Sequence, residues 1–198
     1  MKIGIMGGTM NPIHMAHLMI AEHIKEDFNL DKVYFLPTGD PPHKDLEVSS
    51  EKRYEMTLIA TSDNSDFEVL DIETKRKGKS FTVDTMTELS KTGDEYYFII
   101  GTDTLFLLRS WKDYEKIAKM TSFIVAIRPG YEEEKKIYDE VRSLKEELGF
   151  KIYLANIPKY EISSTDIRKR VSENKSIKYL VPDDVISYIE KEGLYGKN

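Results

Sequence analysis

Two short stretches near opposite ends of the chain combine residue types that grip anions. The first, GGTMNPIHMAHL at 7–18, follows directly on an apolar run and carries a glycine pair, a proline and two histidines. Gly7 and Gly8 let the backbone turn and approach a ligand without Cβ interference, with Thr9 next to them. A helix starting just after them would offer free N–H groups and the positive end of its dipole to an anion. His14 and His17 are three apart, so at the start of that helix they share one face beside the glycines. The second stretch is SSTDIRKR at 163–170. There Ser163, Ser164 and Thr165 open a helix, with the Arg168 guanidinium one turn on, and the same physics makes an anion site.

Each stretch also has a plain structural reading. Paired glycines simply turn a chain, and Ser or Thr before basic residues simply caps a soluble helix. Zinc on the histidines is another option, but such a site takes three or four protein ligands. In a chain without cysteine only His23, His43 and carboxylates remain to complete it, and His23 falls on the opposite side of the helix from His17. The glycine pattern is neither of the two commonest nucleotide fingerprints. Two anion-binding helix starts in one small chain point to a polyphosphate lying between them.

The elements that must position these residues follow from periodicity. Short apolar runs at 3–6, 33–36, 67–70, 96–100, 123–127 and 152–154 alternate with amphipathic stretches at 15–28, 50–61, 82–90, 111–119 and 132–148, and two more helices start near 164 and 182. That alternation predicts an α/β fold, a Rossmann-like doubly wound parallel sheet with a small C-terminal helical extension. The whole forms a single domain in which residues 160–198 pack on the core. In such a sheet ligands bind beyond the carboxyl ends of the strands. The loops at 37–44, 101–104 and 128–130 gather there with the glycine pair.

Composition bounds the partners. With 198 residues, 40% of them hydrophobic and 32% charged, the chain can bury a core without disulfide or metal support. A net charge of -6 argues against a surface that holds a nucleic-acid polymer by its phosphates. No apolar run is long enough to span a bilayer and no secretory leader is visible, so the expected location is the cytoplasm, with no membrane partner. Self-association as a homo-oligomer stays open. The charged run at 132–136 reads as the solvated start of a surface helix.

The first stretch resembles the GGTFDPxHxGH signature of nucleotidyltransferases with an HxGH motif, and SSTDIR is similar to their second signature. PPHK at 41–44, KSFTVDT at 79–85, GTDTLFLLRSW at 101–111 and RPG at 128–130 stand in the order seen in bacterial nicotinate-nucleotide adenylyltransferases. Three residues depart from the first signature: Met10 for Phe, Asn11 for Asp and Ala16 for Gly.

The resemblance implies transfer of AMP from ATP to nicotinate mononucleotide, with Mg²⁺ carried mainly by the ATP phosphates. It implies that His14 and His17 hold the ATP phosphates, that Arg168 and the helix start at Ser163, Ser164 and Thr165 hold their far end, and that Lys44 serves the nucleotide phosphate. Asp103 is expected at the ribose and the backbone around Arg128 at adenine. Thr82, Trp111 and the backbone N–H of Lys112 are expected at the nicotinate ring and carboxylate. Phosphates beside the two histidines are expected to favour their charged forms. The segments at 39–48 and 75–79 are expected to order on substrate.

Overall fold

Alternate residues of each apolar run serve opposite faces of one sheet. The computed structural model describes residues 1–41, 46–127 and 134–196. Strand β1 is Lys2–Gly8, and it sends Ile3 and Ile5 to one face and Met6 to the other. Helix α1 (Met15–Asp27) leads to β2 (Lys32–Pro37), and α2 (Ser50–Thr61) leads to β3 (Phe67–Val69). The short α3 (Ile72–Lys75) and α4 (Thr82–Leu89) return the chain to β4 (Glu95–Gly101). Then come α5 (Thr102–Leu105), α6 (Tyr114–Met120), β5 (Ser122–Ile127), α7 (Glu134–Leu148) and β6 (Ile152–Asn156). The chain closes with α8 (Ser164–Ser172) and α9 (Asp183–Lys191).

All pairings in the six-stranded sheet are parallel, in the order β3-β2-β1-β4-β5-β6. The order runs outward both ways from the β1/β4 pair, as in a doubly wound fold, and both faces are covered. One core layer joins Met6, Ile24, Phe35 and Ile124 with α1 and α2. Ile167 of α8, Val185 and Ile189 of α9, and Leu194 beyond it belong to that same layer, so the C-terminal helices build part of the core. The other layer joins Ile3, Ile5, Phe98 and Phe123 with Met86 of α4, Ile117 of α6 and Leu144 of α7. Among the described residues no helix is long and apolar enough to cross a membrane.

The sequence-based elements need three adjustments. The stretch expected as a helix from 111 starts at Tyr114, because Trp111 is extended (φ -72°, ψ 141°) and Asp113 is left-handed (φ 52°). That extension lets the indole ring pack edge-on against Phe98, 5.7 Å between centroids. The loop expected at 101–104 carries the four-residue α5, and the four residues of α3 are too few to leave a periodic signal.

Candidate active site

β1 and β4 stay paired only to Met6 and Ile99, whereas β1 stays with β2 to Gly8 and Pro37. Beyond Met6 the two central strands part, and a cavity of about 620 Å³ opens in the gap. That volume suits a nucleotide-sized ligand. Gly7, Gly8 and His17 line one side, Phe81, Thr82, Trp111 and Lys112 the other, and Leu36, Ile100 and Ala126 stand near the strand ends.

On the first side the glycines are not the turn. Both are still in β1, and a Cβ on Gly7 would come 2.9 Å from Phe98 Cζ, so the ring beneath requires the glycine. The chain turns after them, where Met10 takes φ 48° and the Asn11–Pro12 bond is cis. His14 caps α1, and its ring stacks on that of His17 with centroids 3.8 Å apart. The His14 backbone N–H donates to His17 Nδ1 at 3.3 Å. A ring nitrogen that accepts carries no proton, so neutral His17 holds its proton on Nε2.

Burial pushes His14 down to about 4, and burial together with the charge of His14 pushes His17 down to about 3. In the ligand-free protein both are therefore neutral at pH 7. Desolvation wins here because these rings sit at a packed helix start with no carboxylate partner among the described residues. Ala16, where the signature has glycine, is an ordinary buried helical residue of α1, so no positive φ is needed there.

The second stretch meets the first directly. Ser163 is the N-cap of α8 and accepts from the Asp166 N–H at 3.1 Å, while the Ser164 hydroxyl donates to the Pro12 carbonyl at 2.9 Å. Arg168 Nη1 donates to the Asn11 carbonyl at 2.7 Å, and Nη2 reaches the Thr165 hydroxyl at 3.4 Å. Ser164 and Arg168 thus also hold the first loop in place. Asn11 Oδ1 accepts from the Tyr195 hydroxyl at 2.7 Å, a bond that the aspartate of the signature would equally accept.

On the far side Thr82 is the first residue of α4, whose N-cap Phe81 supplies no side-chain bond. Lys112 Nζ lies 4.5 Å from the centre of the Phe81 ring and 3.6 Å from Asp84 Oδ2, at the same helix start. Gly101 and Thr104 line the cavity, with Asp103 exposed between them in α5. The Thr9 side chain is not among the cavity-lining groups. Lys44 and Arg128 lie outside the described residues. Asp40 meets Lys79 and Ser80: Lys79 Nζ is 2.8 Å from Asp40 Oδ1, and the Ser80 N–H donates to the Asp40 carbonyl at 2.8 Å.

Three residues around this cleft carry no motif. Arg53 of α2 is 1% exposed; its signal is an arginine on the same helical stripe as the buried Met56 and Ala60. Glu73 is a buried carboxylate that accepts from the Thr85 hydroxyl at 2.9 Å, and burial raises its pKa. Gly39 is pressed so close that a Cβ would lie 2.1 Å from the Glu73 carbonyl oxygen.

Residues 5–170 match the cytidylyltransferase-like family. A probable nicotinate-nucleotide adenylyltransferase of Thermoanaerobacter sp. (strain X514) is 43% identical over 203 residues, covering 100% of this chain and 96% of that protein. The chain belongs to the nicotinate-nucleotide adenylyltransferases. Another member of this adenylyltransferase family, from Desulfitobacterium hafniense (strain DSM 10664 / DCB-2), is 45% identical over 98% of this chain and 95% of its own length. Among solved structures, the Plasmodium falciparum nicotinic acid mononucleotide adenylyltransferase complexed with NaAD has a TM-score of 0.80 at 25% identity, covering 98% of this chain and 97% of that one. The same protein complexed with APC gives 0.77, again at 25% identity, over 98% of this chain and 96% of that one. The two structural matches show that the fold is shared over almost the full length of both chains.

Proposed function

We propose that the chain transfers AMP from ATP to the phosphate of nicotinate mononucleotide, giving nicotinate adenine dinucleotide and pyrophosphate in NAD biosynthesis. The observation that carries this reading is the cleft between β1 and β4, with Gly7, Gly8 and His17 on one wall and Thr82, Trp111 and Lys112 on the other. One wall suits phosphates and the other an aromatic acid, so donor and acceptor meet in one cavity.

In the reaction a phosphate oxygen of the mononucleotide attacks the α-phosphorus in line. The new P–O bond forms as the bond to the β-phosphate oxygen breaks, and that electron pair leaves with pyrophosphate. The attacking oxygen is already anionic, so no protein nucleophile is required, and catalysis is positioning plus neutralisation of charge. Neutral His17 donates from Nε2 to the triphosphate with His14 stacked beside it. Arg168, with N–H groups beyond those it gives to Asn11 and Thr165, serves the far phosphates with Ser163, Ser164 and Thr165. Thr9 serves the same phosphates, Lys44 the acceptor phosphate, Asp103 the ribose and Arg128 the adenine edge.

A divalent ion supplies charge neutralisation when bound. Among the described residues no three His, Asp or Glu side chains converge. Mg²⁺, which gives up its water reluctantly, fits as an ion carried by phosphate oxygens and water. A carboxylate only accepts hydrogen bonds, so selection of nicotinate needs donors, and the open start of α4, the Thr82 hydroxyl and the Lys112 N–H supply that type of group. Trp111 stacks on the pyridine ring. Pyrophosphate release from ATP and Mg²⁺, offered a panel of mononucleotides, tests the reading. Release with nicotinate mononucleotide supports it; ATP binding without release under any acceptor makes the chain a nucleotide-holding module instead.

A further inference from the structure

Arg53 is the one fully buried arginine among the described residues, and it lies beneath the cleft rather than in it. Its Nη1 donates to the Thr9 and Thr38 carbonyls, both at 2.6 Å, its Nη2 to the Gly39 carbonyl at 2.7 Å, and its Nε to the Val48 carbonyl at 3.2 Å. Thr9 belongs to the loop after β1 that leads to the histidines. Thr38 and Gly39 begin the loop after β2, and Val48 lies at its far end. One planar group therefore ties the two loops at the top of adjacent strands, and its fork geometry is what lets it reach separate chain segments at once.

We infer that Arg53 is a positioning residue that sets the spacing between the loop serving the triphosphate and the loop serving the mononucleotide, an inference that builds on the proposed reaction. Gly39 is itself packed tightly against the Glu73 backbone, where a Cβ would lie 2.1 Å from the carbonyl oxygen. On the other loop Met10 sits at φ 48°, a conformation that a methionine keeps only where its surroundings hold it. The Thr38 N–H also donates to the Gly8 carbonyl at 2.8 Å, so a shift in either loop passes to the strand that lines the cavity. Lysine preserves the charge at this place but not the fork, since its compact ammonium cannot align with carbonyls on three segments.

The test compares Arg53→Lys and Arg53→Ala with the wild type, below the melting transition of each. Hydrogen–deuterium exchange on the ligand-free proteins should show amides at 9–11 and 38–40 exchanging faster together in both variants. Steady-state kinetics should show kcat/KM reduced about tenfold to a hundredfold for both substrates. Guanidinium ion added to Arg53→Ala should restore part of that loss. Kinetics within about twofold of wild type in folded Arg53→Lys, or faster exchange in only one loop, would overturn the inference. Should Arg53→Ala not fold, Arg53→Lys carries both readouts. A wild type inactive with nicotinate mononucleotide would sink the proposed function, while the exchange data would still decide the role of Arg53.

Discussion

Mild acid should weaken the ligand-free protein through His14 and His17, and His17→Gln should relieve part of the effect. In the unfolded chain a histidine takes up its proton below about 6.5, whereas in the folded protein His14 waits until about 4 and His17 until about 3. Across that window the unfolded state binds more protons, so acidification favours unfolding, and stability is complete only above pH 6.5. Between pH ~6.5 and pH ~5, about 1.5 units at about 1.4 kcal/mol each gives roughly 2 kcal/mol per histidine, or about 4 kcal/mol for the pair. Urea unfolding followed by far-UV circular dichroism at pH 7, 6 and 5 measures this. Relative to wild type, His17→Gln should lose roughly 2 kcal/mol less across the same interval. Glu73, whose raised pKa works in the opposite direction, is common to both proteins and drops out of the difference. Parallel pH profiles for wild type and variant would refute the neutral assignment of the half-buried His17. The same numbers bear on ligand binding. Raising His17 from about 3 to pH 7 would take roughly 5 kcal/mol of favourable interaction, so ATP binding at pH 7.5 should take up well under one proton. Calorimetry in buffers of different ionisation enthalpy reads that uptake.

His17→Ala should lower kcat by about a hundredfold to a thousandfold with a smaller change in the KM for ATP; near-normal turnover would remove the ring from the phosphate path. Trp111→Ala, which deletes the ring packed on Phe98, should raise the KM for nicotinate mononucleotide at least about tenfold and that for ATP much less. Equal effects on both KM values would make the ring a structural element. Gly39→Ala places a Cβ 2.1 Å from a backbone oxygen and should cost about 2 kcal/mol, a fall of roughly 4–8 °C in Tm by scanning calorimetry.

The sheet was readable from the chain because each strand announces itself as an apolar run between turn residues, and five parallel pairings need only those runs and their crossovers. The two anion-facing stretches were readable because helix starts advertise themselves through hydroxyls, glycines and histidines. Their division of labour was not. That Gly7 answers to Phe98 depends on a contact made 91 residues away, and that the loop turns at Met10 is a local conformation; periodicity carries neither. Likewise Ser164 and Arg168 look like ligand donors in sequence, yet the nearest acceptors are the Pro12 and Asn11 carbonyls of the first loop. Arg53 was invisible as a site residue for the same reason: its partners are backbone groups of distant turns, and backbone groups have no letter in a sequence. Glu73 reads as one more surface acid until the fold buries it against the Thr85 hydroxyl.

The Tyr195 hydroxyl bound to Asn11 closes a span of 184 residues. On a ribosome the first loop emerges before Ser164, Arg168 and Tyr195, which bond to it. The opening strands and helices are made before those bonds can exist, so the loop that leads to the histidines is tied down only after α8 and the turn after α9 have been made.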